Sequence, residues 1–128
     1  MKKCRSIYAD FYECSQLRKE PERFVSLFQS VFPAIPVNGP FCIGDYSVTF
    51  LIQSPAFEIR LCIKKDSKVV LADILIFPGK EKTDWILMLR EFKKIFGAKK
   101  FFNMEFDRGS LNQPIEEQIE NLKSKSAD

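Results

Sequence analysis

Asp73 is the one charged residue in the apolar run "VVLADILIF" (69–77). A carboxyl held among aliphatic side chains resists ionising, and such an acid can take the proton from an attacking amine. Asp73 is therefore the candidate catalytic residue. The plainer reading is a strand acid paired with a lysine or a backbone N–H. Directly after this run come Gly79, Lys80, Lys82, Thr83 and Asp84, inside the strand–loop–helix stretch "ILIFPGKEKTDWILML" (74–89). The N–H groups that open a helix have no partner within it, so Lys82 to Asp84 together with the two lysine side chains form a candidate phosphate-binding turn. Against it stand a solvated turn as the simpler reading, and Glu81, which would repel an anion.

The rest of the composition removes chemistry. The 128 residues contain no histidine, which excludes Ser-His-Asp and Cys-His nucleophile activation and histidine-ligated zinc. Cys4, Cys14, Cys42 and Cys62 form no C-x-x-C pair, so no metal site is expected and the thiols are read as free. Cys42 and Cys62 could pair only if their strands were neighbours, and a reducing compartment argues against that. A net charge of +3 and a pI near 8.7 fall short of the basic footprint of a dedicated nucleic-acid binder. Lys93, Lys94, Lys99 and Lys100 read as a helix end matched to its dipole, with an anion patch as the alternative. No apolar run approaches the ~18–20 residues of a membrane span or secretory signal, so a cytoplasmic protein is expected.

These residues must be positioned by a modest set of elements. Residues 4–12 alternate weakly and suit a first strand. In "EPERFVSLFQSVF" (20–32), Pro21 fits a first helical turn, and Phe24, Leu27, Phe28, Val31 and Phe32 share one face. "PVNGP" (36–40) reads as a loop. Strands follow at 45–53, 57–65 and 69–77, the last apolar on both faces and so central in a sheet. A helix from Thr83 or Asp84 to Gly97 carries Trp85, Met88, Leu89, Phe92, Ile95 and Phe96 on its core stripe. A strand at 100–106 and a helix over Asn112–Lys123, with Ile115, Ile119 and Leu122 on its apolar side, complete the chain. The fold class is α+β: a single compact domain over 1–123, with a frayed tail at 124–128. Its sheet is mostly antiparallel, a three-strand meander plus one or two further strands, packed by about three helices. Thirteen phenylalanines supply a small core with apolar area, or alternatively line an aromatic groove.

The stretch "LADILIFPGKEKTDWILMLREFKKIFGAKKFFNMEFDRGSLN" (71–112) resembles the centre of the GCN5-related N-acetyltransferases. It has a strand ending in proline, a helix, a "GA" stop, a further strand and a polar exit. The resemblance implies acetyl-CoA as cofactor, with its pyrophosphate on the 78–84 turn, and direct attack of an amine on the thioester. The chain departs from the pattern in three ways. The loop has Gly79 alone where closely spaced glycines should wrap a pyrophosphate. "IEEQIENL" has no tyrosine to serve as general acid, and the family's last two strands are missing. A degenerate, non-catalytic member is therefore expected.

Two other classes compete. The element order also resembles restriction-endonuclease-like nucleases, in which an acid and an acid-x-lysine hold Mg²⁺; Asp45, Glu58 and Arg60 imitate that set. Arginine cannot stand in for the lysine, and alternating charge on an exposed strand explains the pattern without a metal. The stronger rival is a binding or regulatory protein, an inhibitor, adaptor or chaperone-like protein, acting on a protein partner through exposed apolar residues. Leu51 and Phe101 are the candidates for that surface, unless they pack under a helix. Binding is the expectation, acetyl transfer to an amine the alternative.

Overall fold

Alternation in the sequence becomes a sheet with one buried face. The structure, a computed structural model, describes residues 4–43, 47–79 and 83–108. Along the chain these form β1 (Cys4–Tyr12), α1 (Pro21–Val31), β2 (Val37–Ile43), β3 (Ser47–Gln53), β4 (Phe57–Lys64), β5 (Val69–Ile76), α2 (Trp85–Phe96) and β6 (Lys100–Arg108). The six strands make one sheet in the order β2-β3-β4-β5-β1-β6, every neighbouring pair antiparallel. β5, apolar on both faces, does lie inside the sheet, between β4 and β1. Register places Ile7, Ile74, Ile59 and Ile52 in one transverse row and Ala9, Ala72, Leu61 and Phe50 in the next. All eight are buried, because side chains two apart on a strand share a face.

The helices cover that face. α1 starts with Pro at its first position and brings Phe24 and Phe28 to the sheet, followed by Phe32 at its end. α2 is bounded at both ends by side chain and backbone. The Asp84 carboxylate accepts the Leu87 N–H at 3.1 Å, and Gly97, at φ 61°, closes the far end. There Gly97 N–H donates to the Lys94 carbonyl and Ala98 N–H to the Lys93 carbonyl, the two bonds of a Schellman closure. A Cβ on Gly97 would also come within 2.7 Å of Gln16 Cγ, so both the left-handed backbone and the close approach of the 15–16 segment require glycine. Lys93 and Lys94 occupy the last turn, where cations oppose the helix dipole.

Eight of the thirteen phenylalanines are buried, so the aromatic excess is core rather than groove. Phe28 sits at its centre, with ring centroids of Phe50 at 5.3 Å, Phe24 at 5.9 Å, and Phe92 and Phe96 at 6.0 Å. Phe57 meets Trp85 edge-on at 5.1 Å.

The structure corrects the reading of residues 36–40 and the strand count, and it places several other expectations. "PVNGP" is not a loop: Val37 and Asn38 pair with Ile52 and Leu51, then a register shift carries the chain over Gly39-Pro40 to Phe41 opposite Thr49. A proline is tolerated here because β2 is an edge strand and the irregularity needs no ladder bond from it. Gly39 fits where a Cβ would come 2.9 Å from the Thr49 carbonyl. The sheet therefore has six strands rather than four or five. Two helices lie among the described residues; the third, over Asn112–Lys123, and the 124–128 tail fall outside them. Cys42 and Cys62 are not on neighbouring strands, since β3 runs between them, and all four cysteines are free. Phe101 takes the packed reading of its two: it lies against the core, stacked on Phe11 at 5.8 Å with Lys93 Nζ 5.7 Å above its ring. Among the described residues no helix is long and apolar enough to cross a membrane.

Candidate functional site

Both helices among the described residues lie on one face of the sheet, and the register dictates what the other face presents. One transverse row reads Met104, Tyr8, Asp73, Arg60, Leu51, Asn38. The next reads Phe102, Asp10, Leu71, Cys62, Thr49, Phe41. The middle of these two rows forms a concavity of about 430 Å³ lined by Tyr8, Asp10, Arg60, Cys62, Leu71 and Asp73. Asp73 is thus at the centre of the face, but it is not alone among aliphatics. The β4–β5 register puts Arg60 directly opposite it, and β1 puts Tyr8 on its other side.

Charge in the concavity is unequal, with two carboxylates against one guanidinium. Asp10 also accepts a hydrogen bond from the Tyr12 hydroxyl at 3.1 Å. That bond, and then the Asp10 charge, raises the Tyr12 pKa above its ordinary value. Cys62 Sγ lies 3.4 Å from Ser47 Oγ, with which it shares a hydrogen bond. The site offers what a cationic group flanked by apolar atoms needs: carboxylates for the charge, with Tyr8 and Leu71 for the stem.

The second cluster predicted from the sequence is placed only in part. Gly79 has open space around its Cα, and Thr83 lies in the coil before α2. Asp84 serves as the α2 cap, so its own carboxylate takes one of the N–H groups a phosphate would use. Lys80, Glu81 and Lys82 lie outside the described residues. Of the nuclease-like set, Asp45 also lies outside them. Glu58 accepts a hydrogen bond from Gln53 at 2.6 Å, and no group of His, Cys, Asp or Glu able to hold a metal occurs among the described residues.

Sequence reasoning missed Tyr8 and Asp10, because nothing local says that β1 inserts beside β5. It also missed Phe102, Met104 and Phe106, which alternate with Asn103 and Glu105 and stand exposed on the face opposite the two helices. That alternation was a readable signal of a half-exposed strand.

Among the described residues, a six-stranded antiparallel sheet with two helices on one face defines an α+β class. The chain is similar to the crystal structure of the adenosylmethionine decarboxylase from Aquifex aeolicus VF5, with a TM-score of 0.64, 10% identity, and coverage of 88% of this chain and 96% of that one. At that identity the likeness establishes the fold alone. No protein-family model matches the chain, and no curated protein matches it in sequence. The acetyltransferase resemblance is overturned: the neighbour has a different fold from that family. Element order along the chain had suggested it, but order does not determine which strands pair, and here β1 runs between β5 and β6. The acetyl-CoA reading rested on that resemblance and loses its support with it.

Proposed function

We propose that this chain is a non-catalytic binding protein whose working surface is the sheet face opposite the two helices, and that its partner is a protein presenting a lysine or arginine flanked by apolar residues. One observation carries the reading: the concavity places Asp10 and Asp73 around Tyr8 and Leu71 on that face. Its excess of carboxylate over guanidinium favours a cation, and its apolar walls favour the stem that carries it. With no histidine and with Arg60 opposite Asp73, the face has the groups of a recognition surface rather than an acid–base pair.

A benzophenone amino acid in place of Leu71 tests this in the full chain. Irradiation should capture a partner, identified by mass spectrometry, whose yield falls about tenfold or more in the Asp10→Asn, Asp73→Asn double variant, as expected for loss of charge-assisted contacts. Equal capture from the same benzophenone at Ile86, exposed on α2, would defeat the reading.

A second reading has its own support, because the fold neighbour is an adenosylmethionine decarboxylase and adenosylmethionine is itself a cation with an aromatic base. Titration of S-adenosylmethionine into the protein decides it. Heat that disappears with Asp73→Asn would replace the protein partner with a small ligand. No heat at millimolar ligand would retire this alternative.

A further inference from the structure

The end of the sheet where β1 stops and β6 begins carries charge of the opposite sign to the concavity. Residues 12–19, 64–69 and 93–100 hold nine lysines and arginines against two carboxylates, a net +7, whereas the whole chain is +3. Backbone bonds lace these segments together. Cys14 N–H donates to the Lys68 carbonyl at 3.0 Å, Ser15 N–H to the Gly97 carbonyl at 3.1 Å, and Lys99 N–H to the Tyr12 carbonyl at 3.2 Å. Between them lies a recess of about 450 Å³, where Lys68, Lys99 and Ser67 face a single carboxylate, Glu13. Among the described residues no carboxylate forms an ion pair with Lys68 or Lys99.

Lys68 also stands in a conformation that lysine rarely takes. Its φ is 56°, at the close of the Lys65–Lys68 turn between β4 and β5, where a hairpin usually places glycine. Among the described residues three that are not glycine have left-handed backbone, Glu13, Ala34 and Lys68, and two of the three line this recess. Strain held at such positions points to a use for the side chain.

We propose that the recess binds a terminal phosphate group, held by the Lys68 and Lys99 ammoniums and the Ser67 hydroxyl. A phosphate monoester carries about −1.5 to −2 charges at pH 7, which two lysines match and one does not. The surrounding lysines draw anions toward this end of the molecule. Tyr12 gives its hydroxyl proton to Asp10 and Ser15 gives its own to the Gly97 carbonyl, so both serve as walls rather than donors. A nucleic-acid strand fits less well, because Glu13 and Asp66 interrupt the lysines and break the basic track that a backbone would follow. The recess shares no lining residue with the Tyr8–Asp73 concavity, and its role does not rest on the binding role proposed there.

Phenyl phosphate titrated into the full chain, followed by amide-resolved NMR, tests the site. Amides of Glu13, Ser15, Ser67, Lys68 and Lys99 should shift and saturate. Lys68→Gly and Lys99→Gln should each weaken binding about tenfold, the loss of one charge-assisted contact, and Glu13→Gln should strengthen it. Glycine accepts the left-handed backbone, so Lys68→Gly should keep its urea midpoint and separate lost binding from lost folding. Inorganic phosphate as a second probe distinguishes the sources: equal or tighter binding makes free phosphate the ligand, and weaker binding makes it a phosphate ester. Shifts that do not saturate, that fall elsewhere, or that survive both lysine changes overturn the inference. So does a short oligothymidylate that binds at these amides more tightly than either phosphate probe, since that would give this end of the sheet to single-stranded nucleic acid.

Discussion

Phe28→Ala is expected to destabilise the protein by about 3–5 kcal/mol, the range for deleting a fully buried phenylalanine. The ring is completely buried and touches aromatic rings from α1, α2 and β3. Those rings come from three different elements, so no single side chain can swing over to fill the space left behind. Part of the loss is the transfer free energy of the missing ring. The rest is the cavity and the edge-on contacts with Phe50, Phe92 and Phe96, which lose their partner. Against a usual total of about 5–15 kcal/mol, this is about a fifth or more of the stability of an ordinary domain. Urea titration should show a lower midpoint at unchanged slope. Phe41→Ala, at a half-exposed edge position on β2, is the control and should stay within about 0.5 kcal/mol. Equal effects at the two positions would mean that the aromatic cluster does not hold the layers together.

Cys14 should react with iodoacetamide about 100-fold or more slowly than an ordinary thiol at pH 8 in the folded protein. It is buried, and burial pushes the thiol from 9.0 up to about 11, against a smaller lowering from its backbone hydrogen bond with Val70. At pH 8 a thiol with the ordinary value is about one-tenth thiolate; at a pKa of about 11 the fraction is about one in a thousand. Steric closure adds to that factor. Pulsed alkylation read by mass spectrometry, with exposed Cys42 as the internal reference, measures it directly. The sign for stability follows from proton linkage. The folded state keeps a proton that the unfolded state releases, so this contribution is intact below about pH 9 and is lost as pH rises toward about 11. Labelling of Cys14 at the Cys42 rate would show that the 12–15 connection opens freely.

Much of this fold was legible in the sequence, and the reason is periodicity. α1, α2 and β3 to β6 announced themselves through apolar spacing, and Asp84 and Gly97 marked the ends of α2 by their capping chemistry. β2 was hidden because Gly39-Pro40 is a loop signal everywhere except at an irregular sheet edge. Asp73 was singled out as a lone acid in an apolar run, and its cross-strand neighbours could not be read there. Arg60 and Tyr8 are 13 and 65 residues away in sequence, and only strand pairing brings them alongside (73 − 60 and 73 − 8). Local propensity carries no information about that pairing. The same limit explains why Leu51 and Phe101, and not the exposed Phe102 and Met104, were weighed as surface apolar residues.

The insertion of β1 between β5 and β6 also sets the order in which the protein can be made. The meander β2-β3-β4-β5 joins strands that are adjacent in the chain, so it can form as soon as its residues exist. β1 is synthesised first, yet its partners lie roughly 65 and 95 residues downstream, as in Ile7 with Ile74 and with Glu105. Until they arrive, β1 lacks both of its partner strands and β5 presents a bare, strongly apolar edge. Closing those two long loops is the slow, entropically opposed event, so folding speed should depend on the β1 contacts more than on the helices. A nascent chain of this protein therefore carries its greatest aggregation hazard just after β5 has formed and before β1 has docked on it.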